Sequence, residues 1–396
     1  MSDSARSAGP TATLRLWIAV VLFLAALLAV MPAQTFNLWK ASIAGAELGH
    51  WVALGALLVL IIPGWWKSVR GQLAGALALV AFCLAFSPSV RAYRAGAGLG
   101  VKIDSAFGKG EPRSLPGASP MSSPWSLLRV ATMPASPEVS VTTVNYVKRG
   151  YDEALQLDVY KRNRILPPAP LIVVVHGGSW VGGSRSELGA LNPYLASRGY
   201  VVATLTYRLA PANPFPAQSE DLNAAIDYLK QHAETFGIDT MQIALIGRSA
   251  GGQIVLQSAY TKKDPSIKGV VALYAPTDQQ WGWDNPANPG VYDSYSVLRN
   301  FLGGEPSQIA EKYRAASPIN YVDSATVPTL LIHGSKDPLV SVQQSERLDA
   351  ALAVFHRPHL FVKLPWATHG CDYFFTGPCG QVSTFAIERF LGSVLK

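Results

Sequence analysis

Five residues, Gly247-Arg248-Ser249-Ala250-Gly251, hold a serine between two glycines. The apolar run Gln242 to Ile246 before them reads as a short buried strand, and Gly252 to Tyr260 after them as a helix. A Gly-x-Ser-x-Gly set between strand and helix is a nucleophile elbow: the turn is tight, and the serine stands out of the sheet at the positive end of the helix. A serine hydroxyl attacks poorly until a base takes its proton. His369 is the expected base, because an imidazole accepts and returns a proton near neutral pH. Asp337 is expected to bond the far imidazole nitrogen, fixing its tautomer and stabilising the imidazolium. Backbone donors must then meet the oxyanion, and Gly177, Gly178 and Ser179, with Ala250 after the nucleophile, are the candidates. The chemistry this predicts is acyl transfer through a covalent intermediate on Ser249.

These residues can meet only if several elements deliver them to one place. From Pro170 onward, strands and helices alternate. Leu171 to Val175, Tyr200 to Thr206, Gln242 to Ile246, Gly269 to Tyr274, Thr329 to Ile332 and His359 to Leu364 read as strands. The intervening helices are expected at Glu187 to Arg198, Ala217 to Phe236, Val340 to Phe355 and Thr384 to Leu395. Short apolar strands separated by helices indicate a mostly parallel twisted sheet covered by helices on both faces, with the site beyond the strands' carboxyl ends. His176-Gly177-Gly178-Ser179-Trp180, Ser249, His333-Gly334-Ser335-Lys336-Asp337 and Pro365-Trp366-Ala367-Thr368-His369 each follow such a strand. His176 is expected to brace its own loop and His333 to be structural, although either could stand in for His369. Asp221 reads as structural, His232 and His356 as surface residues, and Ser335 lacks an elbow. Val139 to Val147 and Leu155 to Tyr160 read as an antiparallel pair joined around Arg149-Gly150.

The N-terminal third is different. Residues 1–130 hold 11 Lys+Arg against 4 Asp+Glu, a net of +7, whereas residues 131–396 hold 22 of each. The basic balance therefore belongs to the apolar N-terminal part, and a nucleic-acid partner loses its support. After a tail expected to be disordered over residues 1–12, three apolar runs predict about three transmembrane helices, near 13–31, 48–63 and 72–88. A signal peptide or a re-entrant hairpin are the rival readings. Lysines and arginines flanking the runs leave orientation close to a tie. Residues 91–136 read as a Gly/Ser/Pro-rich linker with a short helix around Trp125 to Val130. Cys83 reads as a packing residue. Cys371 and Cys379, eight positions apart, could pair, which would favour an oxidising compartment and tips the reading toward an extracytoplasmic catalytic domain on a multi-pass membrane segment. No Cys or His spacing suggests a metal site, and no cofactor is expected.

His176-Gly177-Gly178-Ser179-Trp180, Tyr207-Arg208-Leu209-Ala210-Pro211, Gly247-Arg248-Ser249-Ala250-Gly251, His333-Gly334-Ser335-Lys336-Asp337 and His369-Gly370, in that order, resemble the α/β-hydrolase esterases. The similarity is to the hormone-sensitive-lipase-like carboxylesterases and to the set with an HGGxW loop that includes kynurenine formamidase and isoprenylcysteine methylesterase. It covers about residues 140–396 and implies an α/β-hydrolase fold over 137–396. Two departures stand out: Ser179 replaces the third glycine of the HGGG loop, and no long N-terminal cap is recognisable. A small lid is expected instead at about 276–316, where Trp281, Trp283 and Tyr292, with Trp180, would line a substrate pocket. The expected function is a membrane-anchored serine hydrolase of carboxylic esters, with a small-molecule ester, a lipid-like one included, as substrate. Amide or formamide hydrolysis, acyl transfer to another alcohol, and a non-catalytic ligand-binding homologue are the alternatives. Oligomeric state is open.

Overall fold

The computed structural model describes residues 10–132, 139–149, 153–163, 168–187 and 189–396. Most of the tail expected to be disordered, and the Gly150 turn, lie outside them. The N-terminal part is helical: α1 (Pro10–Leu27), α2 (Phe36–Glu47), α3 (Gly49–Ile61), α4 (Val69–Gly96) and α5 (Leu99–Phe107). Then follow β1 (Val139–Arg149), β2 (Glu153–Arg162), β3 (Ala169–Val175), α6 (Leu191–Ser197), β4 (Val201–Leu205), α7 (Ala217–Gln231), α8 (Ala233–Phe236), β5 (Ile238–Arg248), α9 (Ala250–Lys262) and β6 (Ile267–Leu273). The chain closes with α10 (Gln279–Asp284), α11 (Ser294–Leu302), α12 (Pro306–Ala315), β7 (Thr329–Gly334), α13 (Gln343–Val354), β8 (His359–Leu364) and α14 (Pro378–Val394).

The eight strands form one sheet in the order β1-β2-β4-β3-β5-β6-β7-β8. β1 and β2 pair antiparallel, as do β2 and β4; every other neighbouring pair is parallel. β3 is buried along its whole length. Its alternate side chains enter two cores. Leu171, Val173 and Val175 pack with Leu222 and Ile226 of α7 and Ile254 of α9. Ile172 and Val174 pack with Tyr194 of α6 and Phe385 and Phe390 of α14. A sheet sandwiched this way exposes its loops only at the strand ends, and the carboxyl ends of β3, β5, β6, β7 and β8 therefore share one edge.

Local boundaries differ from expectation at several points. The helix expected from Glu187 starts only at Leu191. The helix expected over 217–236 breaks at His232 into α7 and α8. The segment expected to be a linker is largely ordered. α4 continues to Gly96, and α5 docks on α14 through Phe107, edge-on to Phe390 at 4.7 Å, and through the Asp104–Arg389 ion pair. A short 3-10 turn, Leu127–Ala131, stands near the expected short helix.

The three expected spans take another form. α4 is long and apolar enough to cross a membrane, and among the described residues it is the single helix that passes on its own. α3 has 13 residues, roughly 20 Å of helix against the roughly 30 Å of a hydrocarbon core. It meets α2 at a bend of 66°. α1, α3 and α4 pack through small residues: Ala19, Ala26, Ala53, Ala56, Ala74, Ala78, Ala81 and Ala85 are buried. Leu14, Trp17, Val21, Leu54, Leu58, Leu73 and Leu79 of the same helices face outward. Cys83, expected to pack, is exposed on α4.

Candidate active site

The site begins at the end of β5. Ser249 has φ 52° and ψ −122°, a strained conformation for a residue with a side chain. Two glycines make it attainable. A Cβ at Gly247 would lie 2.2 Å from the Gly251 carbonyl oxygen, and one at Gly251 would lie 2.3 Å from that of Val175. The Ser249 N–H donates to Leu273 O at 2.9 Å, fixing the elbow to the neighbouring strand.

Three side chains that are distant in sequence meet here. The Ser249 hydroxyl donates to His369 Nε2 at 2.9 Å, and His369 Nδ1 donates to Asp337 Oδ2 at 2.6 Å. Asp337 is wholly buried and accepts from four groups. Oδ2 also takes His333 Nε2 at 3.1 Å, while Oδ1 takes the N–H groups of Leu339 and Val340, each at 2.9 Å. Burial alone would raise the Asp337 carboxyl; His369 and His333 beside it reverse that and hold it below the ordinary carboxylate range. His333 is thus more than structural filler. It is a second donor to the acid, steadied by Ser345 Oγ, which donates to its Nδ1 at 2.7 Å. Its spacing to Asp337, four residues across a strand end, was the available signal. His176 braces its loop as expected: Nδ1 donates to Gly177 O at 2.7 Å and its ring stacks on Tyr207 at 4.4 Å. Asp221 binds Arg149 and Arg208, a structural role.

Sequence reading missed a second polar group behind the elbow. Arg248 Nε donates to Asp372 Oδ2, and Tyr274 Oη donates to Asp372 Oδ1. The Tyr274 ring lies 4.5 Å from the His369 ring, so this buried pair backs both Ser249 and His369. Removing one partner of a buried ion pair leaves an uncompensated charge, which costs about 3–5 kcal/mol. Asp372→Ala is expected to lower the thermal midpoint accordingly, measured by calorimetry on the full chain. Cys371, adjacent to it, is disulfide-bonded to Cys379 with a Cα–Cα distance of 5.7 Å.

The loop after β3 turns sharply: Gly178, Ser179 and Trp180 all have positive φ, at 108°, 55° and 60°. Gly177 packs against the elbow, where a Cβ would stand 3.3 Å from Ser249 Cβ. Consecutive residues of this kind aim successive N–H groups toward one side. Ser179 Oγ is 2.6 Å from Tyr292 Oη, tying this loop to the connection between α10 and α11. Beside Ser249 lies a cavity of about 120 Å³, bordered by Ser179, Ala250, Trp281, Tyr292, Leu298 and Val340. Trp180 also borders it, but is largely spent on holding the loop: it stacks on Phe301 at 3.9 Å and donates Nε1 to Gln253 Oε1 at 3.0 Å. Trp283, expected to line the pocket, packs against Tyr295 and Tyr313 instead. Two residues apart on α10, Trp281 and Trp283 are turned by roughly 200°, so one faces the cavity and the other faces Tyr295 and Tyr313.

Comparison with known proteins follows the same geometry. Residues 157–352 match the BD-FAE family model. The esterase LipC of Mycobacterium tuberculosis is 32% identical over 264 residues, covering 62% of this chain and 64% of LipC. Over this region the chain is similar to the α/β-hydrolase esterases. Kynurenine formamidase of Danio rerio is 28% identical over 215 residues, covering 52% of this chain and 65% of that protein. The chain thus spans a little under two thirds of these relatives. Among solved structures, a hyperthermophilic esterase from the archaeon Pyrobaculum calidifontis superposes with a TM-score of 0.57 at 25% identity, covering 67% of this chain and 89% of that one. The residues matched by the family model include the elbow, and the α1 to α5 segment precedes them.

Proposed function

We propose that this chain is a carboxylic-ester hydrolase that works through an acyl-enzyme on Ser249. The observation that carries the reading is the continuous hydrogen-bonded line from Asp337 through His369 to Ser249. Ser249 Oγ attacks the ester carbonyl while His369 Nε2 takes its proton. Asp337 keeps the second imidazole nitrogen protonated and stabilises the imidazolium. The N–H groups of Gly178, Ser179 and Ala250 receive the oxyanion, with Gly177 leaving room for the elbow; losing one such donor costs about 3–4 kcal/mol of transition-state stabilisation. Collapse of the tetrahedral intermediate expels the alcohol, protonated by His369. Water, activated by the same imidazole, then releases the acid.

The cavity of about 120 Å³ is small beside the roughly 300–1,000 Å³ of pockets that hold drug-sized ligands, and it favours a short acyl group. Turnover of p-nitrophenyl esters is expected to peak at short acyl chains and to fall as the chain lengthens; a profile rising toward long chains would remove this assignment. The hydrolase reading itself is tested by incubating the full chain with a labelled fluorophosphonate and, separately, with matched ester and amide substrates. Covalent labelling of Ser249 with preferred ester turnover is expected. Labelling with amide preference would favour the formamidase-like alternative, and no labelling would favour a binding protein.

The N-terminal helices are read as a multi-pass membrane anchor. What supports this is the reversed polarity of their packing, with alanines inside and leucines outside, as suits a lipid surrounding rather than water. The Cys371–Cys379 bond supports an extracytoplasmic catalytic domain.

A further inference from the structure

The N-terminal helices do more than adjoin the hydrolase. They contact the two loops that carry Asp337 and His369. At the end of α1, the carbonyls of Ala29 and Val30 accept from Lys336 Nζ at 3.3 and 2.8 Å. Carbonyls just beyond a helix C-terminus lack intrahelical partners and carry partial negative charge, so an ammonium is well placed there. Lys336 is the residue immediately before Asp337.

α2 lies along the other loop. Trp39, Ile43 and Glu47 are four residues apart, which puts them on one helical face. Trp39 Nε1 donates to the main-chain oxygen of His369 itself at 3.2 Å. Ile43 reaches the backbone of Gly370, where its Cδ1 is 3.7 Å from the position a Cβ would take. Glu47 is buried; Oε2 accepts from the Cys379 N–H at 2.8 Å and Oε1 from Trp366 Nε1 at 3.4 Å. The hydrolase side is shaped to receive it. A Cβ at Gly377 would lie 2.5 Å from Glu47 Oε2, so a glycine is required for the carboxyl group to enter. The connection between the two helices also reaches the lid, with Asn288 Nδ2 donating to Gln34 Oε1 at 3.4 Å.

We propose that the N-terminal segment is a positioning clamp for the catalytic base and its acid: Trp39 and Glu47 hold the His369 loop, and Lys336 ties the Asp337 loop to the end of α1. The clamp rests on the hydrolase reading given above. Its physical basis is that His369 and Asp337 sit on loops whose strands, β8 and β7, end the sheet. Among the described residues β8 has no strand beyond it, so contacts from outside the sheet are what brace this edge. A displacement of about 1 Å in a base can cost as much as about 10²-fold in rate.

The test uses the full chain in detergent micelles, with active sites counted by fluorophosphonate labelling and turnover read on a short p-nitrophenyl ester. Trp39→Phe removes the N–H and keeps an aromatic ring; Lys336→Met removes the ammonium and keeps the stem. The double variant is expected to lose on the order of 10²-fold in kcat per labelled site, with little change in KM. Glu47→Ala is expected to show the same split, and Glu47→Gln, which still offers an acceptor to the Cys379 N–H, to recover most of the loss. If the double variant and Glu47→Ala both keep wild-type kcat per labelled site, the segment is an anchor alone and the clamp is overturned, whatever happens to the thermal midpoint. A wild-type chain that neither turns over the ester nor labels at Ser249 overturns the hydrolase reading and the clamp with it. A labelled, active wild type confines any failure to the clamp.

Discussion

Ser249→Ala is expected to lower kcat on short p-nitrophenyl esters by on the order of 10⁶-fold, the scale on which a serine hydrolase depends on its nucleophile. The loss would be chemical rather than structural. Ser249 already sits at positive φ, and alanine carries the same Cβ into the same turn, so the strain is unchanged. The hydroxyl donates to His369 Nε2, and removing it takes away one exchangeable hydrogen bond at the edge of a cavity. The thermal midpoint should therefore stay close to wild type, while covalent labelling by a fluorophosphonate disappears. Retention of full ester turnover in folded Ser249→Ala would remove Ser249 from the mechanism.

Asp337→Asn is expected to lower kcat by about 10⁴-fold, as loss of the correct imidazole tautomer does in a Ser-His-Asp triad. The four donors around this carboxylate make the consequence specific. If the new amide NH₂ takes the place of Oδ2, it faces His369 Nδ1–H and His333 Nε2–H, and both imidazoles must shift their protons. His369 then carries its proton on Nε2 and cannot accept that of Ser249. If the amide is turned the other way, its NH₂ opposes the N–H groups of Leu339 and Val340. The first arrangement forces both imidazoles into the wrong tautomer, and the second strands buried donors, at about 1–3 kcal/mol for each group left unsatisfied. Asp337→Asn should thus lose both rate and thermal stability, unlike Ser249→Ala. Steady-state kinetics and calorimetry on the two variants, side by side, measure the difference. Wild-type kcat in Asp337→Asn would mean that another group orients the base.

The Asp372→Ala destabilisation and the clamp concern the same corner of the molecule. The chain from Trp366 to Cys379 carries the base, the partner of Arg248, and the groups that receive Glu47. Trp39, Glu47, Arg248 and Ser249, which hold this corner, all lie more than a hundred positions away in sequence. Local sequence carries little trace of such an arrangement.

What could be read directly from the chain was whatever obeys a short-range rule. The elbow was legible because backbone sterics demand glycine at 247 and 251 around a strained serine. The alternation of apolar runs and amphipathic stretches sufficed for the sheet's class, and the position of Asp337 and His369 after their strands sufficed to bring them to one edge. Tertiary packing alone decided the rest. It turned Trp281 toward the cavity and Trp283 away from it, since an aromatic residue suits either face of α10 equally well. It gave His333 to Asp337, and it ordered α5 against α14 in a stretch whose composition resembles a linker. Most of all, it set α2 on the loop that carries His369. A tryptophan, an isoleucine and a glutamate four residues apart define a helical face, but nothing in their spacing says what that face will meet. That depends on shape across 330 residues of intervening chain, down to the missing side chain at Gly377.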